Sequence, residues 1–344
     1  MISAPARLAD VARAAGVSVA TASRALSGRG SVAPATQARV RRIAAELEFH
    51  PSAAGQTLRT RSTRMIGFVV PDVSSTFYAN ALKAAQHRLQ AAGYQTTLMD
   101  TDETPERERA ALLALAAGRV DGIILCSSAR DVAVVRSIEQ RFGLPVVLFD
   151  NLLDGVGVGR VTLDNEAGVR LLVGHLVDVH GHRRIGYVGG IERETSGAER
   201  LSGFRRAMRE HRLPIDEASV RPGDWTEAAG RHETASLLDA RRRVTAIVYP
   251  SFDLALGGLA ELRARGVAVP GEIAIVCFDD ADAAPLLDPP LTVLARRDRD
   301  IGDVAASMVL RALEHRDDGP TDVRIGAELA VRRSCGCGME RHGG

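Results

Sequence analysis

The polar residues of this sequence that could do chemistry stand directly after short apolar runs. Asp72, Asp100, Ser127 and Asp150 close a first set of such runs, and Asp224, Ser251 and Asp279 close a second. Carboxylates and an arginine such as Arg200 can grip vicinal hydroxyl groups in bidentate fashion, and an indole such as Trp225 offers a flat face to a sugar or a base. That is the chemistry of holding a small polar molecule. Clustered carboxylates alone argue weakly for catalysis, and no Gly-rich phosphate loop, nucleophile elbow or metal quartet is recognisable beside them, so no enzyme is expected. Cys335-Gly-Cys337 falls in a Gly-rich tail, and His175, His180 and His182 fall where a helix ends and turns into a strand. Both groups read as structural, with no metal and no cofactor expected.

The elements that must position these residues show in the pattern of apolar runs. Residues 65–70, 96–99, 122–125 and 146–149 read as buried parallel strands, separated by helices near 76–92, 105–117 and 131–141. The pattern restarts with strands at 184–188, 245–249 and 273–277 and helices near 166–180, 198–212, 227–239 and 252–265. Two such sheets imply two lobes with a cleft between them. Ligands of open α/β sheets bind beyond the carboxyl ends of the strands, where the polar residues stand.

The first sixty-four residues differ in kind. They carry ten arginines against Asp10, Glu46 and Glu48, a net +7 in a chain of net +1, which leaves the remainder at −6. A basic head on an acidic body suits a polyanionic partner for the head alone. Residues 7–15 place Leu8, Val11, Ala12 and Ala15 on one helical face, and Gly16 supplies a tight turn. Ser18 is a good N-cap for a second helix, 19–26, with Ala22, Ala25 and Leu26 inward and Val19, Ala20, Thr21 and Arg24 outward. A third helix, 34–47, packs Val40, Ile43, Ala44 and Leu47 across the first two.

The segments Leu8-Ala-Asp-Val-Ala12, Ala15-Gly-Val-Ser18, Ala20-Thr-Ala-Ser-Arg-Ala-Leu26 and Phe49-His-Pro-Ser-Ala53 leading to Leu58 resemble the lactose-repressor and galactose-repressor family of bacterial regulators. In the body Pro71-Asp-Val-Ser-Ser-Thr-Phe-Tyr78, Val120-Asp-Gly-Ile-Ile124, Asp164-Asn165, Arg200-Leu-Ser-Gly-Phe204, Gly223-Asp-Trp225, Phe278-Asp-Asp280 and Pro290-Leu-Thr292 extend the resemblance to about Ser334. It implies that the second helix enters the major groove with Val19, Ala20 and Arg24 facing bases. Arginine can bond guanine O6 and N7 together, and small apolar side chains can pack on a thymine methyl. Ser18, Thr21 and Ser23 suit phosphates. The resemblance also implies a hinge helix at 51–59 that orders on operator DNA and pushes Leu58 into the minor groove, with Gly55 weakening that helix by about 0.5–1 kcal/mol. In the body it implies effector contacts at Phe77, Asp150, Asp164, Arg200, Trp225, Ser251, Asp279 and Arg296, to which the strand-end reading adds Asp72. Three departures stand out: Ser251-Phe252 replaces a usual Asn-Asp pair, Cys277 replaces a usual glycine, and the loop at 178–181 is one residue longer.

The chain therefore reads as an α+β multidomain protein. A three-helix helix-turn-helix head (1–50) is followed by a hinge helix and linker (51–63), a two-lobed α/β periplasmic-binding-protein-like sensor with parallel sheets (64–334) and a flexible tail (335–344). Lobe 1 is expected at about 64–163 and 295–322, and lobe 2 at about 164–294 and 323–334. The expected function is an effector-responsive repressor of carbohydrate-utilisation genes. It binds a palindromic operator in double-stranded DNA as a homodimer and answers to a sugar or sugar derivative, or alternatively to a nucleobase or nucleoside. A solute-binding protein is the rival for the body alone. Against it, Arg7, Asp10, Arg13 and Arg24 interrupt the stretch a secretory signal needs, and no apolar run approaches about eighteen residues, so a cytoplasmic location without a membrane partner is expected. Cys126, Cys277, Cys335 and Cys337 are too few and too poorly spaced for a disulfide framework.

Overall fold

The computed structural model describes residues 6–27, 31–49, 62–118, 120–240, 243–295, 297–315 and 321–338. Gly55, Leu58 and nearly all of the expected hinge, and Arg296, lie outside the described residues. The chain divides into two units, Met1–Thr63 and Arg64–Gly344, taken here in turn.

The first unit holds α1 (Leu8–Ala14), α2 (Val19–Ser27) and α3 (Pro34–Glu46). Its core is made of small side chains: Val11, Ala12, Ala15, Ala22, Ala25, Val40, Ile43 and Ala44 are buried, with Leu8, Leu26 and Phe49 packed against them. Small residues let three short helices pack closely, and that packing supplies stability that helices this short lack alone. Gly16 makes the turn between α1 and α2 at φ +62°, a conformation that L side chains rarely adopt. Leu47, expected in the core, stands 38% exposed just beyond the end of α3, where the chain has already left the helix.

The second unit carries two six-stranded sheets. The first lobe is built from β1 (Met65–Val70), α4 (Thr76–Ala91), β2 (Gln95–Asp100), α5 (Pro105–Ala116), β3 (Gly122–Leu125), α6 (Val132–Phe142), β4 (Val146–Phe149) and β5 (Gly159–Leu163). The chain then crosses to α7 (Asn165–Gly174), a π-helical turn (His175–Val179), β6 (Ile185–Val188), α8 (Thr195–Glu210), β7 (Val220–Arg221), α9 (Glu227–Leu238), β8 (Ala246–Tyr249), α10 (Phe252–Ala264), β9 (Ala274–Cys277) and β10 (Thr292–Ala295). It returns for α11 (Asp298–Glu314) and β11 (Thr321–Ile325), and crosses a third time to β12 (Glu328–Ala330). The sheet orders are β11-β5-β4-β3-β1-β2 and β12-β10-β9-β8-β6-β7. Every pairing is parallel except that of β12 with β10.

Strands β3, β4, β6, β8 and β9 are buried throughout, as helices on both faces require. Helix α11 packs on α4 and beneath β3, β4 and β5, which returns the segment after β10 to lobe 1. The α4–α11 contact is close: a Cβ at Gly302 would lie 1.9 Å from the Ala81 carbonyl oxygen.

Two expectations need correction. Strand β11 pairs with β5 through Ile325, so the last crossing lies after that residue rather than at 322. The tail is folded through Gly338, not free from Cys335 onward. Ser334 anchors it, accepting from Ile275 N–H at its carbonyl (2.9 Å) and from Thr292 N–H at Oγ (2.7 Å), and Cys335 is 1% exposed. No helix among the described residues is long and apolar enough to cross a membrane.

Candidate functional site

In the first unit, the Ser18 hydroxyl caps α2 by accepting from the Thr21 N–H (3.1 Å), and its Oγ lies 2.8 Å from Thr21 Oγ1. With Ala22 and Ala25 turned into the core, Val19, Ala20 and Arg24 are exposed and Thr21 and Ser23 half-buried. Val19 is 49% exposed, an apolar side chain left on the surface of a helix whose other face is fully used. No ion pair holds Arg24 among the described residues, so its fork of donors is available. A capped helix start with hydroxyls beside it offers N–H and O–H groups to phosphate oxygens.

In the second unit, a cavity of about 130 Å³ opens between the lobes. Lobe 1 contributes Asp72 after β1, Phe77 and Tyr78 from the start of α4, Glu103, and Asp150 and Asn151 after β4. Lobe 2 contributes Glu194, Ser196 and Arg200 from around the start of α8, with Trp225, Ser251, Asp253 and Asp279. Arg200 is 2% exposed and built in on every side. Its Nε donates to Asn165 Oδ1 (2.9 Å), its Nη1 donates to the Pro250 carbonyl (2.5 Å) and lies 3.8 Å from Asp279 Oδ1. Its guanidinium lies 3.9 Å from the Phe278 ring centre and 5.5 Å from that of Trp225, a cation–π geometry. Trp225 is oriented in turn by donating its indole N–H to Glu194 (2.8 Å). Asp150 holds φ at +60°, uncommon for a non-glycine residue and costly by about 1–2 kcal/mol.

Seven of the nine residues expected to meet a ligand line this cavity: Asp72, Phe77, Asp150, Arg200, Trp225, Ser251 and Asp279. Asp164 does not. It caps α7, accepting from the Ala167 N–H (3.1 Å). Ser251 also caps α10, through the Leu254 N–H (3.4 Å). The remaining strand-end residues organise loops: Asp100 accepts from Val73 and Asp102 N–H groups, Ser127 donates to the buried Glu108, and Asp224 accepts from the Trp225 N–H. Phe252, at a position departing from the family pattern, packs on the lobe 2 core.

Glu103, Glu194 and Asp253 were not expected, and they change the electrostatics. With Asp72, Asp150 and Asp279 they make six carboxylates around one guanidinium. Burial pushes the carboxyl pKa of Glu194 up, reinforced by Asp150 and opposed by the Trp225 hydrogen bond. Burial likewise raises Asp253, with Asp279 adding to it, and Glu103, with Asp224 and Asp72 adding to it. A site so rich in acceptors repels anions and suits a neutral ligand with many hydroxyl donors.

The lobes also touch directly beside the cavity. Leu152 N–H donates to Thr195 Oγ1 (3.0 Å), Ser196 Oγ donates to Asn151 Oδ1 (3.3 Å), and Arg324 pairs with Glu199 (2.8 Å). Away from the cleft, two histidines and two cysteines that read as unconnected in the sequence, His175, His180, Cys335 and Cys337, come together on lobe 2.

Comparison with known proteins matches each of the two units. Residues 7–52 match the model of bacterial regulatory proteins of the lacI family, and residues 173–335 match that of a periplasmic binding protein-like domain. Catabolite control protein A of Priestia megaterium is 29% identical over 94% of this chain and 98% of its own. The HTH-type transcriptional repressor CytR of Escherichia coli K12 is 29% identical over 96% of each. A solved complex of the transcriptional regulator CelR with cellobiose is 30% identical, with TM-score 0.73 over 96% of this chain and 99% of that one. The lac repressor dimer bound to operator and the anti-inducer ONPF has the same fold, with TM-score 0.86 at 24% identity over 96% of this chain and 99% of that one.

Proposed function

From membership of the lacI family of bacterial regulatory proteins, to which this chain belongs, we propose that it represses carbohydrate-utilisation genes as a cytoplasmic homodimer on a palindromic operator, and that a sugar or sugar derivative sets its affinity. The observation that carries the effector class is the cleft of six carboxylates around Arg200, with the Trp225 and Phe77 rings as flat walls. Adjacent hydroxyls donate to Asp72, Asp150 and Asp279, and the rings cover C–H faces. The ligand acts by population shift, binding DNA-competent and DNA-incompetent arrangements with affinities differing by several kcal/mol. The cleft senses and does not transform, so the ligand is recovered unchanged after incubation.

The test is calorimetric titration with sugars and polyols beside nucleosides. Micromolar binding of a nucleoside with none of a sugar would replace the sugar reading by stacking on Trp225 and Phe77. On the DNA side, Arg24→Ala is expected to cost about 1–3 kcal/mol on operator DNA and to relax preference at one position per half-site. Equal loss on random DNA would make Arg24 a phosphate contact instead.

A pH effect follows from the raised carboxyls. They take up protons at higher pH than the same groups in water, and protonation turns acceptors into donors. Affinity for a hydroxyl-rich ligand is therefore expected to fall several-fold from neutral pH toward about pH 5, with Glu194→Gln flattening part of the slope. Titration at both pH values checks this, and a flat wild-type profile would remove these carboxylates from ligand binding.

A further inference from the structure

We propose that His175, His180, Cys335 and Cys337 form a four-ligand site for zinc or a similar transition-metal ion on lobe 2, apart from the effector cleft. Their four potential ligand atoms lie within 4.8 Å of one another. Cys335 Sγ is 3.3 Å from His175 Nε2, and Cys337 Sγ is 3.2 Å from His180 Nε2 and 3.7 Å from His175 Nε2. Tetrahedral zinc bonds of about 2.0–2.3 Å set neighbouring ligand atoms roughly 3.3–3.8 Å apart, so these three separations are close to the required size and the wider pairs, within 4.8 Å, need only close slightly on an ion.

Three local features bring the ligands together, and none serves the cleft. The first is the π turn His175–Val179 that continues α7. In an α-helix a residue five positions on lies about 140° round the axis, whereas the wider turn brings His180 back toward His175, and such turns often mark functional sites. The second is Gly336, at φ +105°, which lets the Cys-Gly-Cys turn close over His180; a Cβ there would come 3.3 Å from His180 Nδ1. The third is Thr292, whose hydroxyl donates to Cys335 Sγ (3.1 Å), the kind of supporting bond that steadies a ligating thiolate.

The donor set decides the metal class. Two sulfurs and two imidazole nitrogens suit zinc and its neighbours and not magnesium or calcium, which take oxygen ligands. Four protein ligands leave no open position, so the ion is structural. It ties the end of the chain to the turn after α7. His182 is not a ligand: its Nδ1 lies 3.0 Å from Thr245 Oγ1.

The test uses the full-length protein, purified reduced and without chelators. One zinc per chain by elemental analysis is expected, and cobalt in its place should give the absorption of a tetrahedral thiolate site. His180→Ala and Cys337→Ala should weaken metal binding by more than the roughly 10–100-fold lost with a supporting hydrogen bond, while operator binding persists. Cys337→His should retain the ion. Stripping zinc from the wild type should lower its Tm and re-addition restore it, a readout that stands even if an alanine variant fails to fold. Metal content far below one per chain with no cobalt spectrum, or a Cys335–Cys337 disulfide in its place, overturns the proposal. So does a cobalt spectrum unchanged in both alanine variants, which would mean an adventitious ion.

Discussion

Replacing Arg200 by alanine is expected to lower the stability of the second unit by about 3–5 kcal/mol and to abolish ligand binding. The magnitude follows from what the change leaves behind. Asn165 Oδ1 and the Pro250 carbonyl lose a charged donor, and Asp279 loses a cation 3.8 Å away in a site that water barely reaches. Charge alone does not restore the site, because a lysine at 200 cannot serve Asn165 and Pro250 with one planar fork or lie flat on Phe278. Arg200→Lys should therefore fold with an intermediate loss and still bind ligand weakly. Thermal unfolding and calorimetric titration measure the two effects; an alanine variant within about 1 kcal/mol of wild type would show that the guanidinium organises nothing.

The second large effect concerns packing. Gly302→Ala is expected to cost about 3 kcal/mol, at the upper end of overpacking penalties, although alanine is the better helix former by about 1 kcal/mol. The added Cβ meets the Ala81 carbonyl oxygen, which is backbone and cannot rotate away, so α4 and α11 must separate. The start of α4 carries Phe77 and Tyr78, so ligand affinity should fall with stability. Unfolding midpoint and ligand affinity, compared with those of Gly326→Ala at an exposed loop position with open space and no positive φ, check this. An unchanged affinity would show that α4 does not transmit the shift.

Much of this was legible in the sequence. Strands β1 to β4, β6, β8 and β9 announce themselves as apolar runs, and seven body helices by the spacing between those runs. Strands β5, β10 and β12 also escaped, and for some of the missed elements the reason is physical. Strand β7 is two residues long, and β11, Thr321-Asp-Val-Arg-Ile325, lies at a sheet edge with alternate residues exposed. Helix α11 opens in a run of charged residues that hides the apolar stripe of Ile301, Ala305, Met308 and Val309. Within the cleft, residues directly after strands were found, and Glu103, Glu194 and Asp253 were missed because loops and helix starts carry them. Asp164 looked like a ligand contact but caps a helix, a role that aspartates at strand-to-helix turns fill equally well. The histidine–cysteine cluster was invisible because its halves lie far apart in sequence and only the return of the chain after β12 joins them.

The contacts of Asn151 and Leu152 with Ser196 and Thr195, and of Arg324 with Glu199, bear on how fast the molecule can respond. A ligand that can enter only when such contacts part waits on a motion in the microsecond-to-millisecond range. The observed association rate should then level off as ligand concentration rises, at a plateau equal to the opening rate and common to every ligand that fits. Removing the Arg324–Glu199 pair should raise that plateau for all of them alike. The speed of the response would thus belong to the protein, and only its extent to the ligand.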